Sequence, residues 1–167
     1  MSNITIVKGD LIELANAGNF DIIVHGCNCF CRMKSGVAKE IAKHFPNNVL
    51  CDLRTKEGDI NKLGTYQVVE YKKIYIPYNH INPVLDIKTF DLKVINAYTQ
   101  FHYGYDGKKY FSDDSFKKIC RDLDREFSGK IIGMPWIGCG LGGSSKEEVL
   151  KILKDTMKNC YIVICEL

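Results

Sequence analysis

The sequence has no long apolar run, no block of like charges and no segment of low complexity. A membrane-spanning helix needs about 20 consecutive apolar residues, and no stretch approaches that length, so we expect no membrane partner. The formal net charge of +3 is small, which argues against a surface that binds nucleic-acid strands directly. The first residues, MSNITIVKGD, lack the basic and apolar regions of a signal peptide, and this predicts a cytoplasmic protein.

The sequence also lacks the two C-x2-C pairs that are typical of zinc sites, although it contains eight cysteines. Cys27, Cys29 and Cys31 instead alternate after His25, in the segment HGCNCFCRMKSG. A chain of 167 residues can bury a core without disulfide bonds. We therefore predict reduced thiols that pack in a tight turn, with no bound metal and no cofactor.

The same segment partly resembles the loop that carries a cysteine nucleophile. Tyrosine-phosphatase loops follow the pattern H-C-x5-R, in which the thiolate attacks phosphorus. Here Gly26 follows His25, and the spacing from Cys27 to Arg32 is C-x4-R. The thiolate would be out of register with the arginine, so the spacing disfavours this chemistry.

Apolar runs and helical periodicity alternate along the chain, which predicts one α/β domain with a mostly parallel or mixed sheet. Predicted strands are 4–8, 20–28, 64–71, 72–78, 92–101, 129–140 and 160–167. Predicted helices are 35–45, ended by Pro46; 46–59, ending near Gly58; the segment in which Phe116, Ile119, Cys120, Leu123 and Phe127 share a face; and 144–157. Segments 79–91 and 102–112 are expected to be loops.

Two segments share one design: a buried strand, a glycine-bearing turn and then a helix, at 22–45 and at 130–153. Strands of such sheets end at the ligand crevice, and the N–H groups of a helix N-terminus attract anions. The two junctions could hold a diphosphate between them; the alternative is that their glycines only make turns. GCGLGG fits G-x-G-x-x-G, but no strand with a ribose-binding acid follows it, so a dinucleotide-binding fold is disfavoured.

Several side chains near these junctions are candidates for chemistry, each with a structural alternative. His25 ends a buried strand and would donate or orient a proton, or else be a core histidine. Asp10 would accept a hydrogen bond from a ligand amine, or else cap a helix. His80 and His102 lie in predicted loops, and each would either contact a ligand or be a loop residue without such a role. The second loop also carries aromatic side chains that would stack on a base or pack the turn: Tyr103, Tyr105, Tyr110 and Phe111.

Four motifs, taken in order, resemble those of macro domains, the modules that bind ADP-ribose. They are IVKGDL, DIIVHGCN with MKSGVAKEIAKHFP, VINAYTQFHYG and IGMPWIGCGLGG. The resemblance covers nearly the whole chain. It implies a single macro domain over 1–167, with a three-layer α/β/α sandwich and a mixed central sheet.

The resemblance also implies which residues contact an ADP-ribose ligand. Asp10 and Leu11 would face adenine, and Asn28 the distal ribose. The remaining contacts, to that ribose and the diphosphate, would come from Ser35, Gly36, Val37, Ala38, Thr99, Gly138, Cys139, Gly140, Leu141, Gly142 and Gly143.

HGCN and CRM-x-SGVA look most like a subclass of ADP-ribose-1″-phosphate phosphatases and terminal ADP-ribose protein glutamate hydrolases. The hydrolases use a lysine after the mid-chain threonine and an aspartate in the glycine loop; here these positions hold Gln100 and Gly142. We therefore expect a metal-independent, monomeric phosphatase that acts on ADP-ribose-1″-phosphate, with His25 and Asn28 as catalytic residues. The alternatives are a non-catalytic ADP-ribose reader, or a hydrolase that acts on an ADP-ribosylated protein or nucleic acid.

Overall fold

The computed structural model describes residues 2–75 and 87–167, and its six strands form one mixed sheet. The strand order is β1-β6-β5-β2-β4-β3, in which only β3 and β4 pair antiparallel. The strands are β1 (Ile4–Lys8), β2 (Ile22–Asn28), β3 (Tyr66–Tyr75), β4 (Lys88–Gln100), β5 (Ile131–Met134) and β6 (Tyr161–Glu166). The helices are α1 (Leu11–Asn16), α2 (Gly36–His44), α3 (Pro46–Leu53), α4 (Asp113–Glu126) and α5 (Lys146–Thr156), with a 3-10 turn at Ile60–Lys62.

Helices cover both faces of the sheet, which confirms the predicted three-layer α/β/α sandwich. Adjacent residues of a strand point to opposite faces, so Ile22 and Val24 of β2 pack under α4 and α5, while Ile23 packs under α1 and α2. The apolar face predicted for α4 is buried in the first of these layers. In the described part of the chain, no helix is long and apolar enough to cross a membrane.

The polar stretches around β3 and β4 led to two wrong boundaries. The predicted strands 64–71 and 72–78 are one strand as far as Tyr75, because Lys72 and Lys73 continue the antiparallel ladder with Asp91 and Phe90. Strand β4 begins at Lys88, inside the predicted loop 79–91. Residues 76–86, including His80, lie outside the described residues.

The predicted helix 46–59 begins where it was expected but ends earlier. Pro46 starts α3, since it occupies the first helical turn, where its missing N–H costs nothing. Helix α3 ends at Leu53 and not near Gly58, because Thr55 Oγ1 donates to the Asp52 carbonyl oxygen at 2.6 Å and breaks the helical pattern. Helix α1 has no predicted range, but it bears out the alternative role of Asp10 as a helix cap: Asp10 begins it by accepting hydrogen bonds from the N–H groups of Ile12 and Glu13, both at 2.9 Å.

Candidate functional site

A cleft of about 450 Å³ opens where β2, β4 and β5 end, which is a size suited to a small-molecule ligand. Both glycine-bearing junctions contribute to it. Its lining consists of Gly26, Asn28, Arg32, Lys34, Ser35, Gly36, Val37, Ala38, Thr99, Gln100, Tyr103, Gly104, Tyr105, Pro135, Trp136, Ile137, Gly138, Gly140, Leu141 and Gly142. The structure thus brings together ten of the predicted site residues: Asn28, Ser35, Gly36, Val37, Ala38, Thr99, Gly138, Gly140, Leu141 and Gly142.

The first wall of the cleft is the start of α2. Gly36 has φ +58°, a conformation that glycine adopts without strain, and it turns the chain from the loop into the helix. Ser35 is the N-cap residue, yet its side chain makes no capping hydrogen bond. The first N–H groups of a helix have no partner within the helix, so this end of α2 offers N–H donors and a free hydroxyl group to an anion.

Two helices of the protein have a serine as N-cap residue, and only one of the two serines makes a capping hydrogen bond. Ser145 accepts from Glu148 N at 3.2 Å, whereas Ser35 makes no such bond, so the two serines should differ in their contribution to stability. Ser145→Ala is expected to lower the free energy of unfolding by about 1 kcal/mol. Ser35→Ala should leave it unchanged within about 0.5 kcal/mol, since no capping bond is lost. Urea denaturation measures both; an equal loss in the two variants would contradict the assignment of Ser35 Oγ as uncommitted.

The opposite wall is the loop 138–143, which is closed by its own backbone. Ser144 N donates to Gly138 O at 2.8 Å, while Tyr110 N and Phe111 N donate to Gly142 O at 2.9 and 3.0 Å. Within residues 2–75 and 87–167, the N–H groups of Gly140 and Leu141 have no acceptor. The loop is therefore held closed by hydrogen bonds and has unpaired donors beside the cleft, as an anion-binding backbone nest does.

The geometry explains why no side chain stands at position 142. A Cβ atom on Gly142 would lie 2.8 Å from Gly138 O and 3.0 Å from Gly138 Cα. An aspartate would require the loop to open. Gln100 lines the cleft but donates through Nε2 to His102 O at 2.9 Å. Positions 100 and 142 of the cleft therefore hold neither the lysine nor the aspartate of that mechanism.

Asn28 and Thr99 form the floor of the cleft. Asn28 Nδ2 donates to Arg32 O and its Oδ1 accepts from Phe30 N, both at 2.9 Å. The side chain is 8% exposed and lies in the cleft wall, which leaves one amide hydrogen for a ligand. Thr99 is almost fully buried beneath the cleft.

Comparison with known proteins places this geometry in a family. No protein-family model matches the chain. An uncharacterized 17.5 kDa protein encoded in the tk-vs intergenic region of Enterobacteria phage T4 is 33% identical over 165 residues, which cover 96% of this chain and 94% of the phage protein. The macrodomain of Thermus aquaticus DarG superposes with a TM-score of 0.66 at 17% identity, over 98% of both chains. Thermosipho africanus DarTG, solved in complex with ADP-ribose, gives a TM-score of 0.63 at 14% identity, over 100% of this chain and 42% of the other.

The protein belongs to the family of the phage protein, and it has the macrodomain fold.

His25 of this macrodomain lies outside the cleft. Adjacent residues of β2 face opposite sides of the sheet, so Gly26 lines the cleft while the His25 ring is buried on the α3 side, 1% exposed. His25 Nε2 donates to Asn96 Oδ1 at 2.7 Å. Burial lowers the pKa of His25 to about 4, although the hydrogen bond to Asn96 opposes this shift. At neutral pH the ring is therefore uncharged, and it does not line the cleft in which its predicted proton transfer would take place.

Four more predicted contacts are absent from the lining of the macrodomain cleft. Asp10 caps α1 and Leu11 is buried in the core, because the helix turns its side chain inward. Cys139 Sγ lies near Ile137 O at 3.8 Å. Gly143 packs against Lys108 and Lys109, where a Cβ atom would lie 2.8 Å from Lys109 Cα. The adenine contacts of Asp10 and Leu11 stay a prediction for the ligand-bound protein.

All eight cysteines are free thiols. Cys27 and Cys29 are buried against Tyr98, and burial raises the pKa of Cys29 to about 11. The pKa of Cys27 is also raised, mainly by burial. These two thiols are packing residues, as predicted. Cys31, in the loop between β2 and α2, has its Sγ atom 3.6 Å from Lys62 Nζ.

Sequence reasoning missed several cleft residues, chiefly Arg32, Lys34, Gln100, Trp136 and Ile137. Tyr103 and Tyr105 were noted as possible stacking groups and do line the cleft, whereas Tyr110 bonds Asp106 and Phe111 is in the core. The ring of His102 packs on Phe30, with 4.4 Å between centroids, and does not line the cleft. Two basic residues between a strand and an anion-binding helix were the available signal for Arg32 and Lys34; nothing local pointed to Trp136 or Ile137.

Proposed function

We propose that this macrodomain binds ADP-ribose-type ligands in the cleft between α2 and the loop 138–143. The observation that carries the proposal is the pair of facing backbone cradles with unpaired N–H donors and an uncommitted Ser35 hydroxyl group. A diphosphate is the group that two such cradles suit. The likeness to the DarTG structure that holds ADP-ribose supports the same ligand class.

In the proposed complex the diphosphate lies between the cradles and the distal ribose contacts Asn28. Adenine then extends toward the ends of β1 and β6. Trp136 stands in that direction, held by a 2.6 Å hydrogen bond from Nε1 to Glu166 Oε1. Tyr103 and Tyr105, which follow β4, border the other end of the cleft.

We further propose that the protein hydrolyses ADP-ribose-1″-phosphate to ADP-ribose and inorganic phosphate. A water oxygen attacks the terminal phosphorus, the bond from phosphorus to the ribose 1″ oxygen breaks, and that oxygen takes a proton from solvent. Phosphoryl transfer depends mainly on positioning and on electrostatic stabilisation of the transferring group. The N–H donors of α2, the Asn28 amide and the cations Arg32 and Lys34 would supply the positioning and the electrostatic stabilisation.

Incubating the purified protein with ADP-ribose-1″-phosphate is expected to release phosphate. Asn28→Asp keeps the acceptor for Phe30 N, but it replaces the amide donor with a negative charge, so kcat should fall at least about 100-fold. His25→Gln is the control: its amide reaches Asn96 as the imidazole does, and kcat should stay within about threefold. No release by a protein that binds ADP-ribose would disprove the phosphatase activity.

A reader that binds ADP-ribose without turnover is the second candidate. It is favoured by one observation: among the described residues, the cleft lining contains no carboxylate and no imidazole. Calorimetry detects binding under both proposals, so phosphate release is the measurement that separates them.

A further inference from the structure

The segment between β2 and α2 presents two cations side by side at the cleft. Arg32 and Lys34 are exposed and line it, while Met33 between them is buried in the core under α2. Because the residue between them points inward, the two basic side chains leave the same side of the loop. Both side chains therefore belong to the cleft, because Met33 between them is fixed in the core.

The loop that carries these cations is fixed by hydrogen bonds. Asn28 Nδ2 donates to Arg32 O at 2.9 Å, Cys29 N donates to Phe101 O at 2.9 Å, and Gly58 N donates to Cys29 O at 2.8 Å. Cys31 has φ +56°, which is uncommon for a residue with a Cβ atom. A strained turn held by several bonds fixes the backbone from which the Arg32 and Lys34 side chains extend.

The two cations differ in whether a carboxylate of the described residues lies close to them. The Arg32 guanidinium lies beside the Tyr103 hydroxyl group and 3.3 Å from Glu57 Oε1. Lys34 forms no ion pair with any carboxylate of the described residues. Arg32 is thus already paired with Glu57, whereas the charge of Lys34 is not neutralised by any carboxylate of the described residues. The described residues of the cleft lining include no carboxylate.

The end of the cleft with these two cations adjoins the cradle at the start of α2, because Lys34 directly precedes Ser35. Arg32 lies beside Tyr103, which follows β4, whereas Trp136 at the other end bonds Glu166 at the end of β6. Strands β6, β5, β2 and β4 lie in this order across the sheet. With adenine on the Trp136 side, as in the proposed complex, the terminal part of the ligand points toward Arg32 and Lys34.

We propose that Arg32 and Lys34 form a subsite for a second anionic group, the terminal phosphate of an ADP-ribose-1″-phosphate-type substrate. The inference rests on the proposed function and adds the residues that select this substrate over ADP-ribose. Guanidinium groups bind phosphate oxygens in a bidentate manner, and the Tyr103 hydroxyl group lies beside the Arg32 fork. Arg32 and Lys34 are thus specificity-determining residues.

Isothermal titration calorimetry with the double variant Arg32→Gln/Lys34→Gln tests the subsite, with a non-hydrolysable phosphonate analogue in place of ADP-ribose-1″-phosphate, because the wild-type protein is proposed to hydrolyse the ester. The wild-type protein is expected to bind this analogue at least about tenfold more tightly than ADP-ribose. In the double variant the two dissociation constants should agree within about threefold, because only the terminal phosphate loses its partners. Lys43→Gln/Lys151→Gln removes the same charge from exposed helix positions outside the cleft and should keep the wild-type preference.

The outcomes separate the two levels of the proposal. An equal loss of affinity for both ligands in the double variant would overturn the subsite, since the cations would then hold the diphosphate. A wild-type protein without preference would overturn it as well. A wild-type protein that binds neither ligand would instead disprove the proposed function. Tyr103→Phe should reduce the preference without abolishing it, because the guanidinium and ammonium groups remain.

Discussion

Gly138→Ala is expected to reduce affinity for ADP-ribose at least about 100-fold, because the change displaces the whole loop 138–143. Gly138 has φ +81°, and a Cβ atom there would lie 2.6 Å from Phe111 Cγ. Phe111 is 4% exposed and packs on Phe116, with 5.3 Å between centroids, so its ring has no space to move. The loop must shift, and the Ser144 N to Gly138 O bond that closes it is lost.

Gly140→Ala in the same loop is the matched control. Gly140 does not have positive φ, and no atom lies within 4 Å of its Cβ position. Urea denaturation should show unchanged stability for Gly140→Ala and a loss of about 2–4 kcal/mol for Gly138→Ala. Circular dichroism confirms that the Gly138→Ala variant is folded before calorimetry. Binding by that variant within threefold of wild type would refute the loop as a cradle.

The layers of the fold were predictable from local sequence patterns. The wrong strand boundaries of β3 and β4 depended on how these two strands pair with each other. The apolar runs of β2 and β6 and the buried face of α4 are properties of short segments, so the sequence alone indicates them. The polar start of β4 is a strand only because it lies opposite the second half of β3. Helix α1 is a six-residue helix, too short for a periodic signal.

The cleft was predictable where backbone chemistry defines it and less so where side chains from distant elements meet. The two glycine-bearing junctions can be recognised from their composition, and both line the cleft. His25 shows the limit of this reasoning. Its position at the end of a buried strand suggested the cleft, but the alternation of β2 places its ring on the opposite face, a parity that the apolar run IIVHGCN does not reveal.

Burial of His25 leads to an expected loss of stability of about 3 kcal/mol between pH 6.5 and pH 4. The pKa of His25 is lowered from 6.5 to about 4 by burial, which outweighs the opposing hydrogen bond to Asn96. In this range the unfolded chain binds a proton that the folded chain does not. Stability from this group is therefore complete above pH 6.5, falls as the pH drops toward 4, and falls no further below that value.

Urea denaturation of wild type and His25→Gln across this pH range measures the effect. Glutamine does not titrate, and its amide nitrogen can still donate to Asn96 Oδ1, which also accepts from Asn48 Nδ2 at 3.0 Å. The difference in unfolding free energy between the two proteins should change by about 3 kcal/mol from pH 6.5 to 4, and this difference cancels the titration of carboxylates common to both. Parallel pH profiles would mean that the His25 ring is charged or solvated in the native protein. The same experiment therefore tests whether the His25 ring is neutral and buried in the folded protein, whereas the kcat of His25→Gln tests whether the ring takes part in catalysis.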